Sequence, residues 1–181
     1  LLRPCQYNAA VQAAEGIIIR MTDIGHLLGS AAIEMWLTEG QQTRKIVFSG
    51  DVGNVNQPLL RDPQPVAETE YLVIESTYGD RSRADTAAGQ LADTEQRLAE
   101  VIDSTLSGGG NVVIPSFAVG RTQELLYMLR RIKEEKRTGT DFPVYLDSPL
   151  AIEATKIFTK NMRECFDEDA LALVNAGINP L

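Results

Sequence analysis

Three residues that could do chemistry stand where apolar runs stop. They are His26 in "TDIGHLLGSA", Asp51 after "KIVFSG" and Glu75 after "YLVI". Side chains at strand ends beside glycine turns can converge on one rim, where α/β folds place their sites. An imidazole with a carboxylate suits zinc or manganese. A carboxylate can also bridge two metals, and a dinuclear site can clamp a phosphate. A second carboxylate nearby could orient a proton donor. Each residue also has a plainer alternative. A lone histidine between glycines can be structural, Asp51 in "SGDVGN" can hydrogen-bond its own turn, and Glu75 can cap a turn. His26 is the single histidine of the chain. Zinc normally takes at least three protein ligands, so these residues alone do not complete a catalytic metal site.

A second candidate is "PSFAVGRTQE", which places Ser116, Gly120 and Arg121 at a strand-to-helix turn. Helix N-termini attract anions, and arginine can fork onto a phosphate. The alternative is that Arg121 pairs with Glu124 or faces solvent. The nearby triplet Gly108–Gly110 precedes its strand, whereas a dinucleotide-binding fingerprint places its glycines after one. It reads as a helix stop.

The elements that must position these residues fall into two textures. Residues 15–75 are mostly β-like: "GIIIRMTDI", "AAIEMWLTEG", "KIVFSGD" and "YLVIEST" are β-branched, alternating or short apolar runs. "EGQQTRK" reads as a hairpin loop, and the proline-rich "NVNQPLLRDPQPVAETE" as a surface loop. Residues 86–177 alternate helix and strand. "TAAGQLADTEQRLAEVIDSTL" carries Leu91, Leu98, Ile102 and Leu106 at helical spacing, with Thr94, Val101 and Thr105 near them. "NVVIPSF" is expected to be a buried strand, "GRTQELLYMLRRIKEEKR" a helix, and "FPVYLDSP" another strand. "SPLAIEATKIFTKNM" reads as a third helix with Ser148 as N-cap and Pro149 in its first position. This order predicts a parallel α/β sheet.

The 181 residues, 44% hydrophobic and 23% charged, suit one ordinary domain or two small ones. A net charge of −8 argues against a surface built wholly to wrap nucleic acid, but leaves room for a local basic groove. Cys5 and Cys165 form no CxxC unit, which disfavours a disulfide framework or thiolate zinc site and suits a reducing cytoplasm. No apolar run is long enough to span a bilayer, and no membrane partner is expected.

Taken in order, "DIGHLLGSA", "FSGDVGN", "IESTYGD", "VIPSFAVGRTQEL" and "YLDSPLA" resemble segments of the β-CASP family of metallo-β-lactamase-fold nucleases. The resemblance covers roughly residues 22–151. It implies an α/β fold: part of a metallo-β-lactamase αββα sandwich over residues 1–83, then part of a β-CASP parallel α/β domain over 84–181. It implies a zinc-dependent ribonuclease of RNA processing or decay with two Zn2+ ions in the intact active site. His26 corresponds to a zinc ligand, and Asp51 to a carboxylate bridging both ions. Glu75 corresponds to an acidic residue that works with a histidine in protonating the leaving group. Ser116 and Arg121 are the candidates for holding the backbone of single-stranded RNA.

The family's HxHxDH motif and its two later histidine motifs are absent from these 181 residues. The chain also begins without Met and stops without an obvious terminal element. The expectation is a central fragment, inactive by itself and weak in metal binding. Two alternatives remain: a non-catalytic RNA-binding or scaffold subunit, and a DNA-directed nuclease of the same superfamily. Endo- versus exonucleolytic mode stays open, as does a homodimeric assembly.

Overall fold

A computed structural model describes residues 3–80 and 89–181, with residues 89–92 described by backbone alone. The chain folds as two compact units, Leu1–Ser82 and Arg83–Leu181.

The first unit is a five-stranded sheet. Its strands are β1 (Ala10–Ala14), β2 (Ile17–Asp23), β3 (Ala31–Glu39), β4 (Gln42–Phe48) and β5 (Tyr71–Val73), arranged in sequence order. Neighbours are antiparallel except β5, which runs parallel to β4 with Ile46 opposite Tyr71 and Phe48 opposite Val73. The β-branched runs seen in the sequence are these strands. The expected loop "EGQQTRK" is much shorter than its polarity implied. Gly40 and Gln41 alone turn the chain, and Gln42–Lys45 pair with Trp36–Glu39. Those polar residues are tolerated because the outer end of this hairpin faces water on both sides. Thr38 and Thr43 even pair across it, hydroxyl to hydroxyl, at 2.9 Å.

A polar knot ties one face of the sheet. Glu34 is fully buried and accepts two hydrogen bonds of 2.8 Å from Arg20, directly opposite it in register, and one of 2.7 Å from Thr22. The Lys45 ammonium lies 2.7 Å from its other oxygen. Arg20 and Lys45 both lie over the Trp36 ring, at 5.3 and 5.2 Å from its centroid. A buried carboxylate is tolerable only when paired and hydrogen-bonded, and here four donors meet that condition. These partners, the Arg20 bonds first, hold the Glu34 carboxyl down at about 2, against the opposing effect of burial. No helix belongs to the described residues of this unit, so the α layers of the expected αββα sandwich are not among them.

The second unit is helical around two extended segments. Its helices are α1 (Gly89–Ser107), α2 (Arg121–Glu134), α3 (Pro149–Lys160), α4 (Met162–Cys165) and α5 (Glu168–Asn175). Ala99 and Ile102 of α1 meet Leu129 and Ile132 of α2 and Phe142 in a buried cluster, with Leu98, Leu106 and Val112 against it. Val101, by contrast, is exposed, and the Leu91 side chain lies outside the described residues. Ser148 caps α3 as expected, accepting from the Ala151 amide at 3.2 Å with Pro149 in the first position. α5, which has no counterpart in the sequence reading, is capped by Asp167 accepting from the Ala170 amide at 2.7 Å.

The mixed α/β class expected for the chain holds, while this unit shows no paired strand among its described residues. Neither "NVVIPSF" nor "FPVYLDSP" forms a strand. Apolar composition favours extension, but a strand also needs a neighbour to take its amides and carbonyls. Neither segment has a ladder among the described residues, and Val113 and Phe117 are 87% and 85% exposed instead of buried. Both segments border a cavity of about 340 Å³ over Ile102, Leu106 and Leu129.

Candidate active site

His26 and Asp51 sit on two turns that interlock. The first turn leaves β2 at Asp23, whose carboxylate accepts the Gly25 amide at 2.9 Å. Burial pushes the Asp23 carboxyl up, with the Gly25 bond and the Arg61 charge acting the other way. Ser30 then closes the turn: its hydroxyl oxygen accepts from the amides of His26 and Leu27, both at 3.1 Å. The Tyr7 hydroxyl in turn donates to the Ser30 carbonyl at 2.9 Å.

The second turn leaves β4 at Ser49. The Ser49 amide donates to the Val73 carbonyl at 2.9 Å, extending the β4–β5 pairing by one step. Further along, Gly53 donates to the Ile24 carbonyl at 2.9 Å. A Cβ on Gly53 would lie 2.1 Å from the Gly25 carbonyl oxygen and 2.7 Å from the His26 nitrogen, so only glycine allows this approach. The result is that His26 Nε2 lies 3.9 Å from Asp51 Oδ2, with both side chains open to solvent.

Glu75 joins the same group. Its amide donates to the Ser49 hydroxyl oxygen at 3.0 Å, and its carboxylate accepts the Val52 amide at 2.6 Å. The Val52 bond, then Thr77 and the nearby His26, hold the Glu75 carboxyl below the usual carboxylate range. Glu75 is therefore an ionised brace on the turn that carries Asp51. The structure brings all three sequence candidates of the first unit together.

These residues fit two positions of a metal site. One imidazole nitrogen and one carboxylate oxygen face each other within reach of a shared ion, and both are accessible. Among the described residues, no group of three or more His, Cys, Asp or Glu side chains could hold a metal. Residues such as Ser30, Ser49 and Gly53 escaped the sequence reading because their roles depend on contacts between turns. The glycine of "GDVGN" was the only visible signal.

In the second unit, Ser116 and Arg121 flank the turn that enters α2, and both are exposed. Arg121 pairs with Glu124 at 2.9 Å, the alternative weighed from sequence, while its own side chain stays 63% exposed. The Ser116 hydroxyl reaches only its neighbour, the Phe117 carbonyl, at 3.4 Å. Gln123, not singled out by sequence, is fully buried beneath this turn.

A sheet unit with clustered His, Asp and Glu at its strand ends, followed by a helical unit with an exposed arginine at a helix entrance, defines the class. Residues 122–179 match the Beta-Casp domain. The chain is 34% identical to "Ribonuclease TTHA0252" of Thermus thermophilus, over 99% of this chain and 38% of that protein. It is 35% identical to the "RNase J-like protein" of Methanocaldococcus jannaschii, over 84% of this chain and 34% of that protein. It is 39% identical to "Transcription termination factor FttA" of Pyrococcus abyssi, over 84% of this chain and 22% of that protein. Residues 122–179 are thus part of a Beta-Casp domain, and the chain is similar over most of its length to proteins named as ribonucleases and as a transcription termination factor. It spans less than two fifths of the length of each of these relatives.

Proposed function

We propose that this chain is the central part of a zinc-dependent ribonuclease that hydrolyses phosphodiester bonds of single-stranded RNA. The observation that carries the reading is the convergence of His26, Asp51 and Glu75 on two interlocked turns, with His26 and Asp51 3.9 Å apart. The names of the Thermus and Methanocaldococcus relatives support RNA as the substrate.

His26 Nε2 and the Asp51 carboxylate, 3.9 Å apart, would hold zinc. Bound zinc supplies a Lewis acid for the phosphate and lowers the pKa of a bound water. Glu75 stays a carboxylate at neutral pH, and in that state it steadies the Asp51 turn through Val52. Its remaining acceptor capacity suits orienting a protonated imidazole that serves the leaving oxygen. Arg121 can exchange Glu124 for an RNA phosphate, because its guanidinium is already at the surface. Ser116 offers a neutral donor on the same turn.

Alone, the chain brings His26 and Asp51 together as zinc donors and, among the described residues, no group of three, so it should bind zinc weakly and cleave nothing. A cytoplasmic setting agrees with two cysteines that are in no disulfide. The scaffold alternative is less well supported, since decay of a metal site would be expected to spoil His26 or Asp51, and both are present.

The test is Asp51→Asn in the protein that carries this chain, assayed for zinc content and RNA cleavage. Loss of about 10³-fold in kcat with reduced zinc is expected. An undiminished rate would overturn the proposal, and preference for DNA in a competition assay would redirect it to the DNA-directed branch.

A further inference from the structure

We propose that Gln123 is a positioning residue for Arg121, holding the turn that presents this arginine to RNA. The inference rests on the assignment of Arg121 to the RNA backbone made above.

Gln123 is the third residue of α2 and fully buried. Its Oε1 accepts the Gly120 amide at 2.7 Å, which caps the helix. Its Nε2 donates twice, to the Ala118 carbonyl at 3.1 Å and to Thr155 Oγ1 of α3 at 2.9 Å. The Thr155 hydroxyl spends its one proton on the Ala151 carbonyl at 2.8 Å, so toward Gln123 it can only accept. The adjacent Thr122 hydroxyl donates to the Phe117 carbonyl at 2.7 Å. Two neighbouring side chains thus fasten the backbone at Phe117, Ala118 and Gly120, just before Arg121. Gly120 itself has φ 83°, a backbone conformation that glycine adopts without steric cost.

Capping alone does not explain a glutamine here. Glutamate at this position caps a helix equally well. What the amide adds is two donors, one closing the turn and one tying it to α3. A buried glutamate would set its oxygens against the Ala118 carbonyl and the Thr155 lone pair, with no proton for either. The amide therefore joins "AVGRTQE" to "DSPLAIEAT", and the exposed Arg121 leaves from a turn whose backbone is held at Phe117, Ala118 and Gly120. Phosphate binding gains from such preorganisation because the ordering has been done during folding.

The experiment compares Gln123→Glu, Thr155→Val and Arg121→Ala, singly and combined, in the protein that carries this chain, with single-stranded RNA. Helicity and melting temperature report folding. Arg121→Ala should raise KM about tenfold and reduce the salt dependence of binding by about one ion. Gln123→Glu, which keeps the cap, should raise KM about as much, with kcat within about twofold. Adding it to Arg121→Ala should cost nothing further. Thr155→Val should give a smaller rise of the same kind, and decides the matter if Gln123→Glu fails to fold. An unchanged KM in Gln123→Glu and Thr155→Val overturns the proposal, as does an effect that multiplies fully with that of Arg121→Ala. If Arg121→Ala itself leaves KM unchanged, the assignment of Arg121 to RNA fails, and the positioning role falls with it.

Discussion

Gly53 lies against Gly25 so closely that a methyl group on Gly53 would come within 2.1 Å of the Gly25 carbonyl oxygen. This contact, with the Gly53 amide on the Ile24 carbonyl, sets the distance between the turns of His26 and Asp51.

Gly53→Ala should therefore drive these turns apart. The clash is with backbone, which cannot swing aside, so destabilisation of about 2–3 kcal/mol is expected. Urea unfolding followed by the fluorescence of Trp36, the single tryptophan, reports on this unit. In the intact protein zinc affinity should fall as well. A variant with unaltered unfolding midpoint and zinc affinity would show that the interlock is not what sets the site.

Glu34 makes the first unit sensitive to acid. Its folded pKa is about 2 against an ordinary 4.5. A lowered carboxyl pKa contributes stability that is present above 4.5 and lost as pH falls toward 2. The difference corresponds to a contribution on the order of 3 kcal/mol. Glu34→Gln should unfold more easily at pH 7 and show a flatter stability profile between pH 5 and 2. Parallel profiles for the two proteins would contradict the role given to the knot.

Glu95 of α1 should behave in the opposite way. It is fully buried, 3.3 Å from Arg131 and 3.4 Å from Arg137, yet neither oxygen has a hydrogen bond of good geometry. Burial pushes its carboxyl up despite the two arginines. A raised carboxyl pKa means that folding stability declines as pH rises from the ordinary value through the folded one. Both arginines keep Glu135 as a partner. Glu95→Met should thus stay within about 1 kcal/mol of the parent at pH 7 and lose that decline. A loss of several kcal/mol in chemical denaturation would mean the triad is a net stabiliser.

Glu75→Gln should separate bracing from chemistry. The amide oxygen can still accept the Val52 proton, so zinc content in the intact protein should change little. The charge that would orient an imidazolium is gone, and kcat should fall about 10²-fold or more. Retained activity would reduce Glu75 to a structural brace.

The order of local motifs, the β-rich first half and the first three helices of the second half were legible in the sequence because each depends on neighbours in the chain. A β-branched apolar run showed β2, alternation showed β3, 3.6-residue periodicity showed α1, and Ser148–Pro149 marked the start of α3. His26, Asp51 and Glu75 were visible as polar residues ending apolar runs. Tertiary structure decided the rest. Whether "NVVIPSF" is a strand depends on a partner elsewhere, so its composition could not answer. The burial of Gln123 depends on Thr155, 32 positions away, and that of Glu34 on two cations from flanking strands. Above all, the 3.9 Å between His26 and Asp51 is set by a glycine packing on a carbonyl between two turns. Local sequence determines which residues can serve a site. The approach of separate backbones determines whether they meet, because steric contact acts through space and leaves little trace in the spacing of residues along the chain.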